Sequence, residues 1–538
     1  MTSLRHIIFI LLIGSAVIAS AQKGLDAPMT KAVMNVYKQL LAEDPSDYET
    51  YYRRACEYYK HNQYRLALND INNAIKYVPE DMSNIRIDQL TLRANIYLQL
   101  DSLDNALFDL KQAYALDPYS YLTLYQKANL EYQLGNYDSA KSDYTRMQRL
   151  NNRSTEALIG LARIAVKENN LGLANDYINE AVAITPSDAN IYVRRASVKM
   201  MMNNANGAVD DLILAISTDN SCTKALHELV KLGNSNYSAV MTGLSNAIRQ
   251  APKVGMFYYI RAVIAEYHFN YLAAISDYQK ILKDNLYNYY GIYASLADCY
   301  YALGKYDEAL DNINFAITGS SKVKSYYVTK AKILRAMNNG DEAIINADKA
   351  LVLDMNYNEA LRVKALALSD NNKYDESTAL LGEIFLNDSK DNFSLIMRGW
   401  ILERDKTQAI YAKNFYQRAI ETETEIENDN INSLKGFAHL ALGNSNEAIN
   451  WIESIISQTT QHDGKEYYYA TCIYSWAGNY NKALEYMAKA LDSGYAHYHN
   501  WIKCNDANIN VAPLRDNPQF KELINKYSII FDTEIYSH

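Results

Sequence analysis

The sequence has few of the residues on which disulfide-bonded, collagenous and nucleic-acid-binding proteins depend. Its 538 residues include five Cys, eight Pro and 20 Gly. Even the nearest two cysteines, Cys472 and Cys504, are widely separated, so no disulfide framework and no zinc spacing is present. The net charge of −9 offers no basic footprint for nucleic acid. What is abundant is Tyr, with 47 residues against 11 Phe.

The motifs of common catalytic sites are also missing. The chain has no glycine-rich phosphate loop and no G-x-S-x-G turn. His227 and Glu228 lack a second His at the zincin spacing, and His497 and His499 are two positions apart, so on a helix they point to different faces. The sequence therefore predicts a non-enzymatic protein with no catalytic residue, no metal and no cofactor. An enzyme built on helical repeats stays a third hypothesis, and it would need a buried cluster of titratable side chains.

The N-terminal segment 1–21 has the pattern of a secretory signal peptide. A short basic start is followed by an apolar run at Ile7–Ala19 and by the A-x-A sequence Ala19-Ser20-Ala21. The run is shorter than the ~20 residues needed to span a bilayer. We predict cleavage after Ala21 and an exported protein, periplasmic or secreted, that begins at Gln22. An uncleaved N-terminal anchor is the alternative.

Alanines recur along the chain at a nearly constant interval. The steps 106→140→174→208 and 309→343 are all equal. Another alanine lies twelve positions before each of these, and Pro79, Pro118 and Pro186 end three of the periods. The two aligned sets are Ala67, Ala106, Ala140, Ala174, Ala208, Ala274, Ala309 and Ala343, preceded by Ala55, Ala94, Ala128, Ala162, Ala196, Ala262, Ala297 and Ala331.

This spacing resembles the tetratricopeptide repeat. Segment 51–79 matches at Tyr51, Ala55, Ala67, Ala74 and Pro79, and the G-x-Y-D-x-A turn occurs twice. The resemblance implies paired amphipathic helices whose small residues allow close crossing and whose neighbours must stack, because one pair cannot bury its own apolar face. The predicted fold class is all-α, a right-handed α-solenoid of about thirteen helix hairpins with a C-terminal cap.

The chain divides into segments that match the repeat pattern to different degrees. We predict an N-terminal array at 22–220, a degenerate repeat or hinge at 221–252, and a second array at 253–495 that is irregular after 390. The degenerate repeat has Glu228 where a small residue is expected. Residues 496–538 are predicted to form capping helices, since 510–524 resemble the segment that ends many bacterial arrays of this family, with Phe520 facing inward.

In this family the first helix of each repeat lines a concave groove that binds other molecules. The resemblance therefore implies a protein or peptide partner in the cell envelope, without nucleic acid and without a membrane span after cleavage. Carried over repeat by repeat, the groove positions are Tyr52, Tyr59, Tyr125, Asn129, Tyr132, Arg163, Tyr259, Tyr267, Tyr301, Lys332 and Arg335.

Two other functions follow from particular residues. The groove tyrosines could stack on sugar rings, so a glycan-binding module of the cell envelope is the alternative function. Ser102 and Ser139 stand in Asp-Ser-apolar sequences that resemble bacterial O-glycosylation acceptors or are ordinary polar turn residues. The carboxylate clamp of chaperone-binding repeats is rejected, because Thr91 and Tyr125 stand where that clamp has Lys.

Overall fold

The chain folds into successive pairs of antiparallel helices. A computed structural model describes residues 28–387, 391–422, 434–458, 464–495, 497–503 and 510–535. These residues form 28 α-helices, one π-helical turn at His499–Lys503 and one 3-10 turn at Ala512–Leu514, without a strand. The predicted all-α fold of about thirteen hairpins is thereby confirmed. Among these helices none has the length and apolarity needed to traverse a lipid bilayer.

Helix α1 precedes thirteen pairs, and α28 follows them. The bounds are α1 Pro28–Glu43, α2/α3 Tyr48–Lys60 and Tyr64–Tyr77, α4/α5 Ser83–Gln99 and Leu103–Leu116, α6/α7 Tyr121–Gln133 and Tyr137–Leu150, α8/α9 Thr155–Lys167 and Leu171–Ile184, α10/α11 Ala189–Met201 and Ala205–Thr218, α12/α13 Thr223–Ser235 and Tyr237–Gln250, α14/α15 Gly255–Tyr267 and Tyr271–Lys283, α16/α17 Gly291–Ala302 and Tyr306–Gly319, α18/α19 Lys324–Ala336 and Gly340–Leu353, α20/α21 Asn358–Asp370 and Tyr374–Asn387, α22/α23 Asn392–Arg404 and Ala409–Glu421, α24/α25 Lys435–Ala441 and Ser445–Gln458, α26/α27 Lys465–Trp476 and Tyr480–Asp492, and α28 Pro518–Ile535.

The small residues of the repeat hold the helix crossings together. Every alanine of the two aligned sets is at most 2% exposed, as expected where a methyl group lets two backbones approach closely. The three prolines act at the ends of second helices, since Pro79, Pro118 and Pro186 each follow a helix end by two positions. The sequence periodicity thus predicted both the packed positions and the helix ends.

The turns within the pairs share one backbone conformation. Eleven of the thirteen turns have three residues, and the middle residue of each has a positive φ. Ten of these residues are Gly, Asn or Asp, which reach the left-handed region at low cost. The eleventh is Phe269 at φ 59°, and a bulky side chain in this region marks local strain.

An ion pair between residues sixteen positions apart links the two helices of several pairs. The cation directly precedes the small residue of the first helix, and the aspartate lies three positions after the alanine of the second helix. Arg93 illustrates the geometry, because its Nε and Nη2 both donate to the Asp109 carboxylate at 2.7 Å. Five pairs of the described chain carry this arrangement, namely Arg54–Asp70, Arg93–Asp109, Lys127–Asp143, Arg195–Asp211 and Arg261–Asp277.

A glycine provides the space for one buried tyrosine. A Cβ added to Gly160 would lie 2.5 Å from the Tyr144 ring, which is fully buried and held by a 2.8 Å hydrogen bond from its hydroxyl to the Asn129 Oδ1. We expect Gly160→Ala to lower the free energy of unfolding by about 1–3 kcal/mol. Gly172→Ala, where the nearest atom is 3.9 Å away, is the matched control and should raise it by about 0.5 kcal/mol. Urea denaturation followed by circular dichroism measures both, and equal effects would contradict this packing argument.

The described residues form two compact units. One ends at Leu229 and the other begins at Val230; they are called here the N-terminal and the C-terminal unit. The division lies within the segment 221–252, whose role as a hinge stays a prediction. In that segment Glu228 is exposed, while Ala225 and Leu229 are buried. The helix therefore turns Glu228 to solvent and still packs its other side against its neighbours.

The C-terminal helix belongs to the core of its unit. Leu514 and Phe520 are at most 3% exposed and pack in the same cluster as Leu491, while Lys521 and Glu522 are exposed. Helix α28 contacts α27 and also α15. That residues 496–538 cap the array stays a prediction, and part of that range lies outside the described residues, as does the signal peptide.

Candidate functional site

The first helices of the pairs form the inner side of each unit. In the N-terminal unit α2 contacts α4, and α8 contacts both α6 and α10. In the C-terminal unit α18 contacts α16 and α20, and α24 contacts α26. Helices that approach each other across a repeat line the inner side of a stacked array. Side chains on these helices that point away from their partner helices are therefore the candidates for binding.

Four predicted residues come together on α6 and α8 of the N-terminal unit. The Arg163 guanidinium carbon lies 4.0 Å from the centre of the Tyr132 ring. Asn129 accepts a hydrogen bond from the Tyr144 hydroxyl at 2.8 Å and donates to the Tyr125 carbonyl at 3.0 Å. We call Tyr125, Asn129, Tyr132 and Arg163 the inner patch. It joins an arginine, an amide and two aromatic rings on two neighbouring helices.

The inner patch contains an uncompensated positive charge. No carboxylate lies within 4 Å of the Arg163 guanidinium in the described part of the chain, and the side chain is half-buried. Tyr125 is half-buried as well, whereas Tyr132 is 8% exposed. A guanidinium held by one ring face keeps its N–H edges for acceptors, such as backbone carbonyls or carboxylates.

Tyr52 and Tyr59 lie on α2, at the start of the same inner side. Both are half-buried. Desolvation raises the pKa of Tyr52 to about 12, with the charges of Cys56 and Asp88 adding to the effect. The ring centroid of Tyr59 is 5.7 Å from that of Tyr64 in an edge-on arrangement. Tyr59 therefore contacts a ring of its own repeat, and among the described residues no ring contact links Tyr59 to the inner patch.

Tyr259 was predicted as a groove residue, and its burial contradicts that role. It is 2% exposed, and its ring lies within 6.3 Å of the rings of Tyr278, Tyr287 and Tyr289. Tyr287 and Tyr289 come from the loop between α15 and α16, which the repeat pattern does not describe. Their rings occupy the space in front of Tyr259, so a partner cannot reach it.

The C-terminal segment covers part of the inner side of its own unit. The His497 ring lies 6.0 Å from the Tyr301 ring and 6.2 Å from the Tyr271 ring. The strained Phe269 contacts Tyr495 at 4.9 Å between ring centroids, which accounts for a bulky residue at this turn. A Cβ on Gly304 would lie 2.4 Å from Tyr498, so the segment packs tightly.

The remaining predicted residues of the C-terminal unit are not gathered into one surface. The Tyr267 ring lies edge-on to His268 at 5.3 Å. Arg335 pairs with Asp370 at 2.8 Å, and Arg404 approaches the same carboxylate at 3.3 Å. Lys332 is exposed. Because Tyr301 contacts His497 and Arg335 is paired with Asp370, the N-terminal inner patch is the stronger candidate.

Next to Tyr259 the C-terminal unit contains a half-buried carboxyl group, that of Glu266, with no cation among the described residues around it. Burial raises the pKa of Glu266 to about 8, and the charge of Asp298 on the neighbouring first helix acts in the same direction. The Tyr278 hydroxyl donates to Glu266 Oε2 at 2.9 Å, which opposes the shift. Thr329 donates to Asp298 at 3.1 Å. A pKa of about 8 favours the protonated form of Glu266 at neutral pH.

Two features were not found from the sequence. The spacing of sixteen positions between cation and aspartate was visible in five repeats and could have predicted the ion pairs. The contact of residues 495–498 with Phe269, Tyr271 and Tyr301 joins segments that are distant in the sequence, and no local pattern indicates it. The only sequence signal of this contact is Phe269 itself, which stands at a turn position where the other ten three-residue turns have Gly, Asn or Asp.

Family models identify the type of repeat in part of the chain. Two models of the tetratricopeptide repeat match this chain, one at residues 125–189 and 259–314 and the other at 90–120. A curated relative, the DnaJ homolog subfamily C member 7 homolog of Dictyostelium discoideum, is 28% identical over 193 residues. That match covers 34% of this chain and 30% of the relative, so the similarity concerns under a third of that protein's length.

Two solved structures align with this chain over 96% of their own length. Yeast Tom70 has a TM-score of 0.34 at 16% identity, covering 74% of this chain and 96% of that one. YrrB, described as a protein with an unusual peptide-binding site, has a TM-score of 0.28 at 19% identity, covering 36% and 96%. Scores at this level do not establish a shared overall shape. The segments matched by the family models carry tetratricopeptide repeats.

Proposed function

We propose that this protein is an exported, non-enzymatic scaffold that binds a protein segment on the inner patch of its N-terminal unit. The observation that carries the proposal is the contact of the Arg163 guanidinium on α8 with the Tyr132 ring on the adjacent first helix α6, which also carries Tyr125 and Asn129. An extended segment crossing α6 and α8 would place backbone carbonyls or a carboxylate at Arg163 and an apolar side chain at Tyr125. Aromatic and arginine side chains supply most of the binding energy in such contacts.

The glycan alternative has less support from the same residues. Stacking on sugars needs exposed ring faces. One face of Tyr132 is covered by Arg163, and Tyr259 is buried among other tyrosines. The inner patch is therefore better suited to a peptide than to a row of sugar rings.

The binding proposal is tested with peptides selected from a random library against the full chain. We expect Arg163→Ala to weaken the selected peptide at least tenfold, about 1.4 kcal/mol. Arg149→Ala is the matched control, because Arg149 is exposed in the last turn of α7, and it should leave the affinity unchanged. Isothermal titration calorimetry measures both. Equal affinity of the two variants would exclude the inner patch.

The export proposal is tested separately. It rests on the apolar run Ile7–Ala19 and the small residues that follow it. Expression of the full sequence in a Gram-negative host, followed by fractionation and N-terminal sequencing, should yield a periplasmic or secreted chain that begins at Gln22. A chain that keeps Met1 and stays with the membrane fraction would support the uncleaved anchor instead.

A further inference from the structure

Four repeats of the C-terminal unit keep the cation of the helix-linking ion pair without its aspartate, with Lys330, Lys364, Arg398 and Lys435 as the cation, and α22/α23 is the one whose cation is an arginine. In the five complete pairs the cation directly precedes the small residue, and the aspartate lies three positions after the second-helix alanine. In α22/α23 these positions are Arg398, before Gly399, and Phe415, three positions after Ala412. The Arg398 guanidinium carbon lies 4.5 Å from the centre of the Phe415 ring. An aromatic ring thus stands where the other repeats place a carboxylate.

A second arginine lies beside Arg398 and has no carboxylate partner among the described residues either. The Arg418 guanidinium carbon is 5.1 Å from the Phe385 ring on α21. Arg398 Nη1 is 3.1 Å from the position of a Cβ on Gly382, one helical turn before Phe385. Both guanidinium groups therefore lie against the same face of α21, and the absence of a side chain at Gly382 makes room for them.

These two charges have no compensation within the part of the chain that the structure describes. No carboxylate lies within 4 Å of either guanidinium there, and the Arg398 Nε is buried without a hydrogen-bond partner. Burial, together with the charge of Arg418, lowers the pKa of Arg398. A half-buried guanidinium beside a like charge is costly unless an anion binds there.

We propose that Arg398 and Arg418 form a binding site for a carboxylate of an acidic protein segment. Arg93 and Arg261 occupy the same repeat position as Arg398. Each of them holds a carboxylate through Nε and Nη2 at 2.7 Å, so a carboxylate is the group that fits this position. The Phe385 and Phe415 rings cover guanidinium faces and leave the N–H edges for in-plane hydrogen bonds. An Asp or Glu side chain of a partner then takes the place of the missing aspartate.

The proposal is tested with the full chain and fluorescein-labelled hexaglutamate, followed by fluorescence anisotropy at low salt. Hexaglutamate should bind and hexaglutamine should not. Arg398→Gln should weaken binding about tenfold, as expected for one desolvated charge contact. Arg249→Gln is the matched control, because Arg249 is exposed in the last turn of α13, and it should leave the affinity unchanged.

Substitutions of Phe415 separate carboxylate binding from loss of fold. Phe415→Asp restores the aspartate of the repeat and should abolish hexaglutamate binding, while Phe415→Leu should keep it. Circular dichroism melts confirm that both variants are folded. Equal binding by these two variants would overturn the proposal. Displacement of hexaglutamate by inorganic phosphate at the same concentration of negative charge would overturn the assignment to a carboxylate.

Discussion

We expect Asp109→Asn to lower the free energy of unfolding of α4/α5 by about 3 kcal/mol. The Asp109 carboxylate is 1% exposed on its side chain and accepts two hydrogen bonds from Arg93 at 2.7 Å. Removing the negative charge leaves a guanidinium, 19% exposed, beside a neutral amide. The cost comes chiefly from the uncompensated charge and not from the lost attraction.

The measurement has to be local, because unfolding in a repeat array can begin at one pair. Hydrogen exchange of the α4 and α5 amides gives the opening free energy of this pair. Asp176→Asn is the matched control, an exposed aspartate of α9, and should change stability by less than about 0.5 kcal/mol. The double variant Arg93→Leu/Asp109→Leu removes both charges and should recover most of the loss. An Asp109→Asn effect equal to that of the control would contradict the role of the ion pair.

The second large effect concerns pH. Burial raises the pKa of Glu266 from 4.5 to about 8, with Asp298 adding to the shift. Between these two values the folded chain holds a proton that the unfolded chain has lost, so stability falls as the pH rises through this range. Glu266→Gln carries no titrating proton and should be more stable than the wild type at pH 8.5, by at least about 2 kcal/mol.

The comparison needs a full pH series. Thermal melts of the wild type should move to lower temperature between pH 5 and pH 8, and those of Glu266→Gln should move much less. Glu383→Gln removes an exposed glutamate of α21 and should follow the wild-type curve. Parallel curves for wild type and Glu266→Gln would show that the carboxyl group is ionised in the folded chain.

The sequence predicted the helices well because each repeat depends on local rules. Ala140 and Ala174 are fully buried at helix crossings, as the constant repeat interval requires. Pro118 ends its helix because it cannot continue the hydrogen-bond pattern. The position of Gly135 in a left-handed turn, at φ 81°, follows from the same local code. Such features need no knowledge of distant residues.

The binding positions were harder to predict because they depend on what lies in front of them. Tyr125 and Tyr259 occupy the same position of their repeats, yet only Tyr259 is covered, by side chains of an inserted loop. Tyr301 meets His497 from the far end of the chain. Arg163 could be carried over by register, but its contact with Tyr132 depends on the angle between α6 and α8. A repeat pattern gives the position of a residue and not its neighbours.

The most direct test of a binding scaffold is the hydrogen-exchange footprint of a library-selected peptide on the full chain. Slowed exchange in α6 and α8, with no change in α7 and α9, is the expected result, and it should disappear in Arg163→Ala. Protection confined to the second helices, or a footprint that survives in Arg163→Ala, would contradict the assignment of the binding surface to the inner patch.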